Sequence, residues 1–194
     1  MSDYFVHPAA IVDDGVDIGD GTRVWHFAHV MSGAVIGRDV SLGQNVFVAG
    51  RVVIGDGCRI QNNVCLYEGV VLEEHVFCGP GMVFTNVRNP RSAYPTPREA
   101  YHETRVRRGA TVGANAAIVC GNTVGEWAFI AAGAIVTNDV PAFALMAGVP
   151  ARRIGWACEC GQSLGRHGGE LFVCNACGRR YNETDSRTLV RDEA

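Results

Sequence analysis

Four cysteines near the end of the chain have the spacing of metal ligands. Cys158 and Cys160 are separated by thirteen residues from Cys174 and Cys177, and each pair is followed directly by a glycine. Thiolates spaced in this way can close a tetrahedral zinc site, and the glycines let backbone amides turn toward the sulfur atoms. We therefore predict a structural zinc site with these four ligands. His167 is a possible substitute ligand, and four reduced cysteines without a metal are the alternative.

The arginines are a second group of residues that could bind a ligand. All seventeen lysine-or-arginine positions are arginine, which excludes both a Schiff-base lysine and a phosphate-loop lysine. Guanidinium groups bind phosphates and carboxylates in bidentate fashion. Six arginines fall within twenty-one residues, at Arg88, Arg91, Arg98, Arg105, Arg107 and Arg108. The first three are candidate anion ligands, and solvated loop arginines are the alternative.

Both groups stand where a regular six-residue repeat stops. Fourteen units run from Val6 to Asn89, and six more follow from Val106 after an interruption at residues 90–105. The leading residues are Val6, Val12, Ile18, Val24, Val30, Ile36, Leu42, Val48, Ile54, Ile60, Leu66, Leu72, Cys78, Phe84, Val106, Val112, Ile118, Val124, Ile130 and Val136. Four residues after each leader stands Ala or Val in fifteen of the twenty units.

Such a repeat predicts an all-β fold, a parallel β-helix in which each unit is one short strand followed by a turn. The aliphatic leader and the small second residue would fill a narrow interior. Gly, Asp and Asn would occupy the turns, because they tolerate positive φ. A sandwich of short strands is the alternative, which the unbroken phase disfavours.

The composition suits one globular domain with a small appendage. Apolar residues make up 47% of the 194 residues, and the formal net charge is -3. That charge gives no general attraction to nucleic acid or anionic membranes, and the apolar runs are too short for membrane insertion. Without a recognisable secretory signal, we expect a cytoplasmic protein. The other cysteines, Cys58, Cys65, Cys78 and Cys120, should be unpaired.

Two irregular stretches complete the organisation. Residues 90–105 contain three prolines and two tyrosines, which predict a stiff, functional loop insertion within a repeat domain of residues 1–156. Residues 157–194 form a zinc-ribbon-like tail. Because a β-helix exposes strand edges at its end, this tail could cover the last coil.

Several motifs resemble one branch of the hexapeptide-repeat acyltransferases. They are Val24 to Phe27, Ser41 to Val48, Ile60 to Val64, Leu72 to Glu74 and Phe84 to Ser92. The branch is the UDP-2-acetamido-3-amino-2,3-dideoxy-glucuronate N-acetyltransferases of bacterial surface-polysaccharide (lipopolysaccharide) biosynthesis. The resemblance runs from about Val6 to Trp156 and does not include the cysteine cluster. It implies a left-handed coil of eighteen residues and a homotrimer.

The reaction implied by the resemblance is transfer of acetyl from acetyl-CoA to the 3-amino group of a UDP-linked amino sugar. A neutral, aligned amine attacks a thioester readily, so positioning could supply most of the rate. The candidate substrate-binding residues are His26, Arg88, Asn89, Arg91 and Arg98, with arginines on the diphosphate or the sugar carboxylate. The closest alternative is an acetyltransferase for a dTDP-linked 3-amino-deoxyhexose.

Asn86 matches the asparagine of the motif and is the first candidate catalytic residue. Its amide could hold the attacking amine or donate to the developing oxyanion. Glu68 would stack one coil below Asn86, where it could orient the amine or accept its proton. His26, His75 and His102 are rival bases, and the proton could instead pass to the leaving thiolate. An asparagine chosen only because it suits a turn is the alternative.

The resemblance also implies that CoA lies in a groove between the later coils of neighbouring subunits. The predicted contacts are Gly113, Ala114, Ala131 and Ala132, with Arg152 and Arg153 near the CoA phosphates. Outward-facing aromatic residues, among them Trp25, Phe27, Phe47 and Phe77, would fit a buried interface.

Two functions of other classes compete with this prediction. A zinc-dependent hexapeptide enzyme of the carbonic-anhydrase type uses histidines five apart, and the six histidines of the sequence include no such pair. A non-catalytic β-helix scaffold could use the cysteine ribbon as a protein- or nucleic-acid-binding module. Its ribbon would need a basic face, for which Arg166, Arg179 and Arg180 are candidates.

Overall fold

The computed structural model describes residues 3–185 and 188–192. Within them the chain forms twenty-six β-strands and a short 3-10 helix at Arg98–Ala100. Most strands belong to three sheets, which are parallel except at the last strand of one of them. We call these sheets faces 1, 2 and 3, and they are wound into a β-helix. No helix in this part of the chain is long and apolar enough to cross a membrane.

The strands of each face stack in chain order. Face 1 contains β1 (Phe5–Val6), β4 (Arg23–Val24), β7 (Ser41–Leu42), β10 (Arg59–Ile60), β13 (Phe77–Cys78), β16 (Thr111–Val112), β19 (Phe129–Ile130), β21 (Ala144–Ala147) and β22 (Arg152–Trp156). Face 2 contains β2 (Ile11–Val12), β5 (His29–Val30), β8 (Phe47–Val48), β11 (Cys65–Leu66), β14 (Val83–Phe84), β17 (Ala117–Ile118) and β20 (Ile135–Val136). Face 3 contains β3 (Asp17–Ile18), β6 (Val35–Ile36), β9 (Val53–Ile54), β12 (Val70–Leu72), β15 (Thr104–Val106) and β18 (Thr123–Val124).

The register confirms the predicted β-helix and its eighteen-residue coil. Val6 pairs in parallel with Val24, and Val24 pairs with Leu42. At the interruption Leu72 pairs with Val106, so the inserted loop leaves the stacking of face 3 intact. Because β15 begins at Thr104, the last two residues of the stretch 90–105 already belong to the sheet.

The leading residues fill the interior as predicted. From Ile18 onward every leader is buried, and each fully buried aliphatic side chain contributes about 1.5–3 kcal/mol relative to an exposed one. Val6 and Val12 are half-buried, because no coil lies beneath them. The prediction for the turns is confirmed at most positions with positive φ. The exceptions are Phe27, Arg51, His75, Trp127 and Phe143.

The tail is a four-stranded antiparallel sheet that packs on the last coil. Its strands are β23 (Gly165–Gly168), β24 (Leu171–Val173), β25 (Arg180–Asp185) and β26 (Thr188–Arg191). The fully buried ring of Tyr181 lies 5.3 Å from that of Phe143, and the N–H of Ala157 donates to the carbonyl of Phe143 at 2.7 Å. The tail therefore shares one apolar core with the β-helix.

Candidate active site and cysteine cluster

The inserted loop leaves and rejoins the β-helix at one turn between faces 2 and 3, which we call corner 2–3. At its start the N–H of Thr85 donates to the carbonyl of Ile118 at 3.2 Å, and the Thr85 hydroxyl accepts the N–H of Cys120 at 2.9 Å. The backbone carbonyl of Asn86 accepts the N–H of His102 at 3.0 Å. The bonds of Thr85 attach the start of the loop to the next coil, and the bond between Asn86 and His102 holds the two ends of the loop side by side.

The side-chain amide of Asn86 lies at this corner without a hydrogen-bond partner in the described chain. Its side chain is half-buried and makes no hydrogen bond with the described part of the chain. Arg88 and His102 converge on neighbouring Gly121, where an added Cβ would lie 3.8 Å from Nη2 of Arg88 and 3.7 Å from Cβ of His102. The corner thus brings a guanidinium and an imidazole to one glycine, in the turn that also carries the amide of Asn86. An amide can accept a hydrogen bond from an amine or donate one to an oxyanion.

Glu68 lies at the same corner but is already engaged. Its carboxylate, 15% exposed, pairs through Oε1 with Nη2 of Arg51 and through Oε2 with Nε of Arg98. Neither oxygen can receive a proton from a substrate without disturbing one of these pairs. The arrangement suits a residue that positions the loop, since Arg98 belongs to the loop and Arg51 to the wall of the β-helix.

The predicted anion ligands fall into two environments. Arg98 lines a depression of about 310 Å³ whose other residues are Arg51, Glu68, Gly69, Glu99, Tyr101 and Glu103. Its three carboxylates against two guanidinium groups make it a poor site for a diphosphate. Arg88 and Arg91 are exposed, as is Asn89, and neither arginine has a side-chain partner among the described residues. These two arginines remain available to an anionic ligand.

His26 lies at a different corner from Asn86, in the turn between faces 1 and 2, which we call corner 1–2. Its ring stacks on His7 with centroids 3.5 Å apart, beside a depression of about 360 Å³ that Trp25 and Gln44 help to line. More than three coils separate His26 from Asn86, which is roughly 15 Å along the axis at about 4.8 Å per coil. A single chain therefore does not bring the two together.

The small residues predicted to contact CoA stack at corner 1–2. Gly113 and Ala114 occupy one coil, and Ala131 and Ala132 occupy the next. A Cβ added at Gly113 would lie 2.5 Å from the backbone N of Ala132. The four residues form a narrow ridge along which backbone groups are accessible, since Ala132 is exposed and the other three are half-buried.

Arg152 and Arg153 lie farther along, on the edge strand of face 1. Arg153 pairs with Met146, whose carbonyl accepts the N–H of Ala131 at 2.8 Å. The guanidinium of Arg153 lies over the ring of Trp156, 4.0 Å from its centroid. Both arginines are exposed, and one strand separates them from the ridge.

The four tail cysteines meet in space. Their sulfur atoms all lie within 4.8 Å of one another, and within the described residues no other group of three or more His, Cys, Asp or Glu side chains could share an ion. Zn–S bonds of about 2.3 Å give tetrahedral S–S edges of about 3.8 Å, so the cluster fits zinc. The backbone N–H of Arg179, followed by its guanidinium, lowers the pKa of Cys177 to about 6, which favours a thiolate. His167 is not part of the group.

The arginines of the tail do not form a basic face, because carboxylates neutralise them. The pairs are Arg166 with Glu183 (2.6 Å), Arg179 with Glu159 (3.4 Å) and Arg180 with Asp192 (3.6 Å). A nucleic acid requires an excess of unpaired positive charge. The charges of the described tail therefore give no support to a nucleic-acid-binding module.

Arg51 and Thr85 belong to corner 2–3 although no motif predicts them. Arg51 stands eighteen residues before Gly69, the neighbour of Glu68, so the coil length could have placed it there. Thr85 directly precedes Asn86, and no sequence pattern points to its role. That role depends on a hydrogen bond to the next coil.

Comparison with known proteins adds relatives of known activity. The family described as bacterial transferase hexapeptide (six repeats) matches residues 15–50. The dTDP-3-amino-3,6-dideoxy-alpha-D-galactopyranose 3-N-acetyltransferase of Aneurinibacillus thermoaerophilus is 41% identical over 181 residues, which cover 93% of this chain and 92% of that one. An alignment of this length must include residues beyond Trp156, so it covers part of the tail as well as the repeats.

Solved structures share the fold. LpxA, a UDP-N-acetylglucosamine acyltransferase from Bacteroides fragilis, gives a TM-score of 0.67 at 17% identity, over 80% of this chain and 62% of that one. A hexapeptide-repeat acetyltransferase from Vibrio cholerae, complexed with acetyl coenzyme A, gives a TM-score of 0.54 at 23% identity, over 70% of each chain.

Proposed function

Since this chain belongs to the hexapeptide-repeat acetyltransferases, we propose that it transfers an acetyl group from acetyl-CoA to the 3-amino group of a nucleotide-linked amino sugar. The observation that carries the proposal is the amide of Asn86, which makes no hydrogen bond within the described chain and lies at the same corner as Arg88 and His102, where the repeat is interrupted. The relative that is 41% identical over nearly the whole chain acts on such a sugar, as its name states.

The amine nitrogen attacks the thioester carbonyl, a C–N bond forms, and the C–S bond breaks to release CoA. The amide oxygen of Asn86 accepts a hydrogen bond from one N–H of the amine. This bond orients the lone pair of the amine nitrogen toward the carbonyl carbon. The proton that the amine loses passes to the departing thiolate. This assignment agrees with the engagement of Glu68 by two arginines, which leaves positioning as its task. Positioning of this kind can supply several kcal/mol of the barrier reduction.

The sugar nucleotide that the comparison favours is a dTDP-linked 3-amino-3,6-dideoxyhexose. A UDP-linked 3-amino uronate is the second candidate, because Arg88 and Arg91 are both exposed without side-chain partners in the described chain and could serve a diphosphate and a carboxylate separately. In either case we place Arg88 and Arg91 on the anionic groups and Arg98 in the support of the loop.

A neighbouring copy is part of the proposed site. His26 and Asn86 lie at different corners and several coils apart, so both can contact one substrate only if they come from two chains of a homotrimer. CoA would lie along the ridge at Gly113 and Ala131. We place the reaction in the cytoplasm, where the eight free cysteines stay reduced. The cysteine cluster takes no part in the transfer, because four thiolates would fill the shell of a zinc ion.

A free-thiol assay tests the proposal, with acetyl-CoA and a panel of dTDP-linked 3-amino-3,6-dideoxygalactose, a UDP-linked 3-amino uronate and dTDP-galactose, which lacks the amine. We expect thiol release only with an amino sugar. Asn86→Ala should lower kcat by about 10²–10³-fold, whereas Asn182→Ala, on the exposed surface of β25, should not. Turnover of no amino sugar, or wild-type rates in Asn86→Ala, would refute the proposal.

A further inference from the structure

We propose that Cys158, Cys160, Cys174 and Cys177 bind one zinc ion, and that this ion holds the tail as a cap on the open end of the β-helix. The proposal is independent of acetyl transfer. It depends on the geometry of two turns, on the small core of the tail and on the contacts between the tail and the last coil.

Two similar turns supply the ligands. The N–H of Gly161 donates to the carbonyl of Cys158 at 2.8 Å, and the N–H of Gly178 donates to the carbonyl of Cys174 at 2.8 Å. Both glycines have positive φ, 87° and 74°, which lets the chain fold back around sulfur. Each turn therefore presents its two cysteines to the other turn.

The sulfur atoms pair across the two turns. Cys158 and Cys177 are 3.5 Å apart, and so are Cys160 and Cys174. A disulfide would need about 2.05 Å, whereas four sulfurs around a shared zinc ion lie about 3.8 Å apart. Because all four are also within 4.8 Å of one another, the cluster has the shape of a single ion site.

The tail adds only a small core of its own, which a crosslink would stabilise. In its described part the large apolar or aromatic side chains that are buried are Phe172, Tyr181 and Leu189. Segments below about 40 residues usually need a metal, a disulfide or association to fold. Cys158 and Cys174 are buried in this core, 2% and 1% exposed. The hydroxyl of Tyr181 lies 3.2 Å from the sulfur of Cys158, so an ion bound by Cys158 would lie next to this core.

The same core fastens the tail to the last coil. The N–H of Ala157, next to the first ligand, donates to Phe143, and the indole N–H of Trp156 donates to Glu183 at 3.1 Å. Trp156 ends the edge strand of face 1, and its carbonyl accepts the N–H of Leu164 in the tail at 2.9 Å. Loss of the ion should therefore loosen the tail and the last coil and leave the earlier coils folded.

Metal analysis of the full-length protein, purified under reducing conditions, tests the binding. We expect about one zinc per chain, near-complete loss of zinc in Cys177→Ser, whose exposed side chain fills no core, and no loss in Cys65→Ser on face 2. Cobalt added to the metal-free wild-type chain should give thiolate-to-cobalt absorption. Reduced protein that holds no zinc and gives no such band, or that carries a Cys158–Cys177 disulfide, overturns the proposal.

Hydrogen exchange tests the role as a cap. A strong chelator should abolish protection in residues 157–185 and 188–192, lower it in residues 141–156 and leave residues 24–84 unchanged. Metal loss with unchanged protection in the tail would show that the ion does not hold the cap. Because neither readout involves acetyl transfer, this proposal and the proposed function can fail separately.

Discussion

At the scale of single residues, neighbours decide which task a polar side chain can perform. Asn86 and Glu68 stand at one corner, yet the amide of Asn86 is unbound and the carboxylate of Glu68 is held by Arg51 and Arg98. The two arginines are 64% and 58% exposed, so each pair contributes about 0–1 kcal/mol to stability. The main effect of the two ion pairs is therefore to position the loop that carries Arg98.

Replacement of Glu68 by Gln tests this assignment. We expect a higher KM for the sugar nucleotide, a fall in kcat of no more than about 10-fold, and an unchanged shape of the pH–rate profile, since loss of a general base would cost about 10²–10⁴-fold. Arg98→Gln should reproduce the effect, because it breaks the same pair. Steady-state kinetics across pH measure this. A large loss of kcat at constant KM, with loss of the basic limb, would instead make Glu68 the base.

At the scale of strands and turns, the coils approach so closely that some positions accept no side chain at all. Gly113 follows a leading valine with ordinary φ, but a Cβ there would lie 2.5 Å from the backbone N of Ala132. Backbone atoms of the next coil cannot move aside without lengthening its hydrogen bonds. Gly155 offers a matched contrast, because its φ is also ordinary and no atom would lie within 4 Å of its Cβ.

Gly113→Ala should therefore destabilise the protein by about 1–3 kcal/mol, whereas Gly155→Ala should change the free energy of unfolding by less than about 0.5 kcal/mol. Denaturant unfolding of both variants measures the difference. Equal midpoints for the two variants would mean that the coils can separate at corner 1–2 at little cost.

At the scale of the whole molecule, the three faces differ in what they show to solvent. The outward residues of face 2 are Ile11, His29, Phe47, Cys65, Val83, Ala117 and Ile135. All but one are apolar, and Ile11 and Val83 are 59% and 47% exposed. A largely apolar row of this kind predicts an interface with another copy of the chain. Face 1 interrupts its outward row with Arg23, Ser41, Arg59 and Thr111.

A charge on face 2 should separate the subunits. We expect Val83→Arg to shift the protein from an oligomer to monomer and to lower acetyl transfer, because the site would lose the neighbouring copy. Asp17→Arg, at an exposed position on face 3, should leave the assembly intact. Light scattering coupled to gel filtration gives the mass. An unchanged mass in Val83→Arg would place the interface elsewhere.

The sequence alone determined the β-helix, its twenty units and the residues that line the interior, because each coil depends on side chains that recur at a fixed interval. It also identified the four cysteines, since the spacing of ligands within a turn is local. Contacts between distant segments have no such period. The pairing of Glu68 with Arg51 and Arg98, the separation of His26 from Asn86 and the packing of Tyr181 on Phe143 depend on how an aperiodic loop and tail return to the coils, and only the tertiary structure decided them.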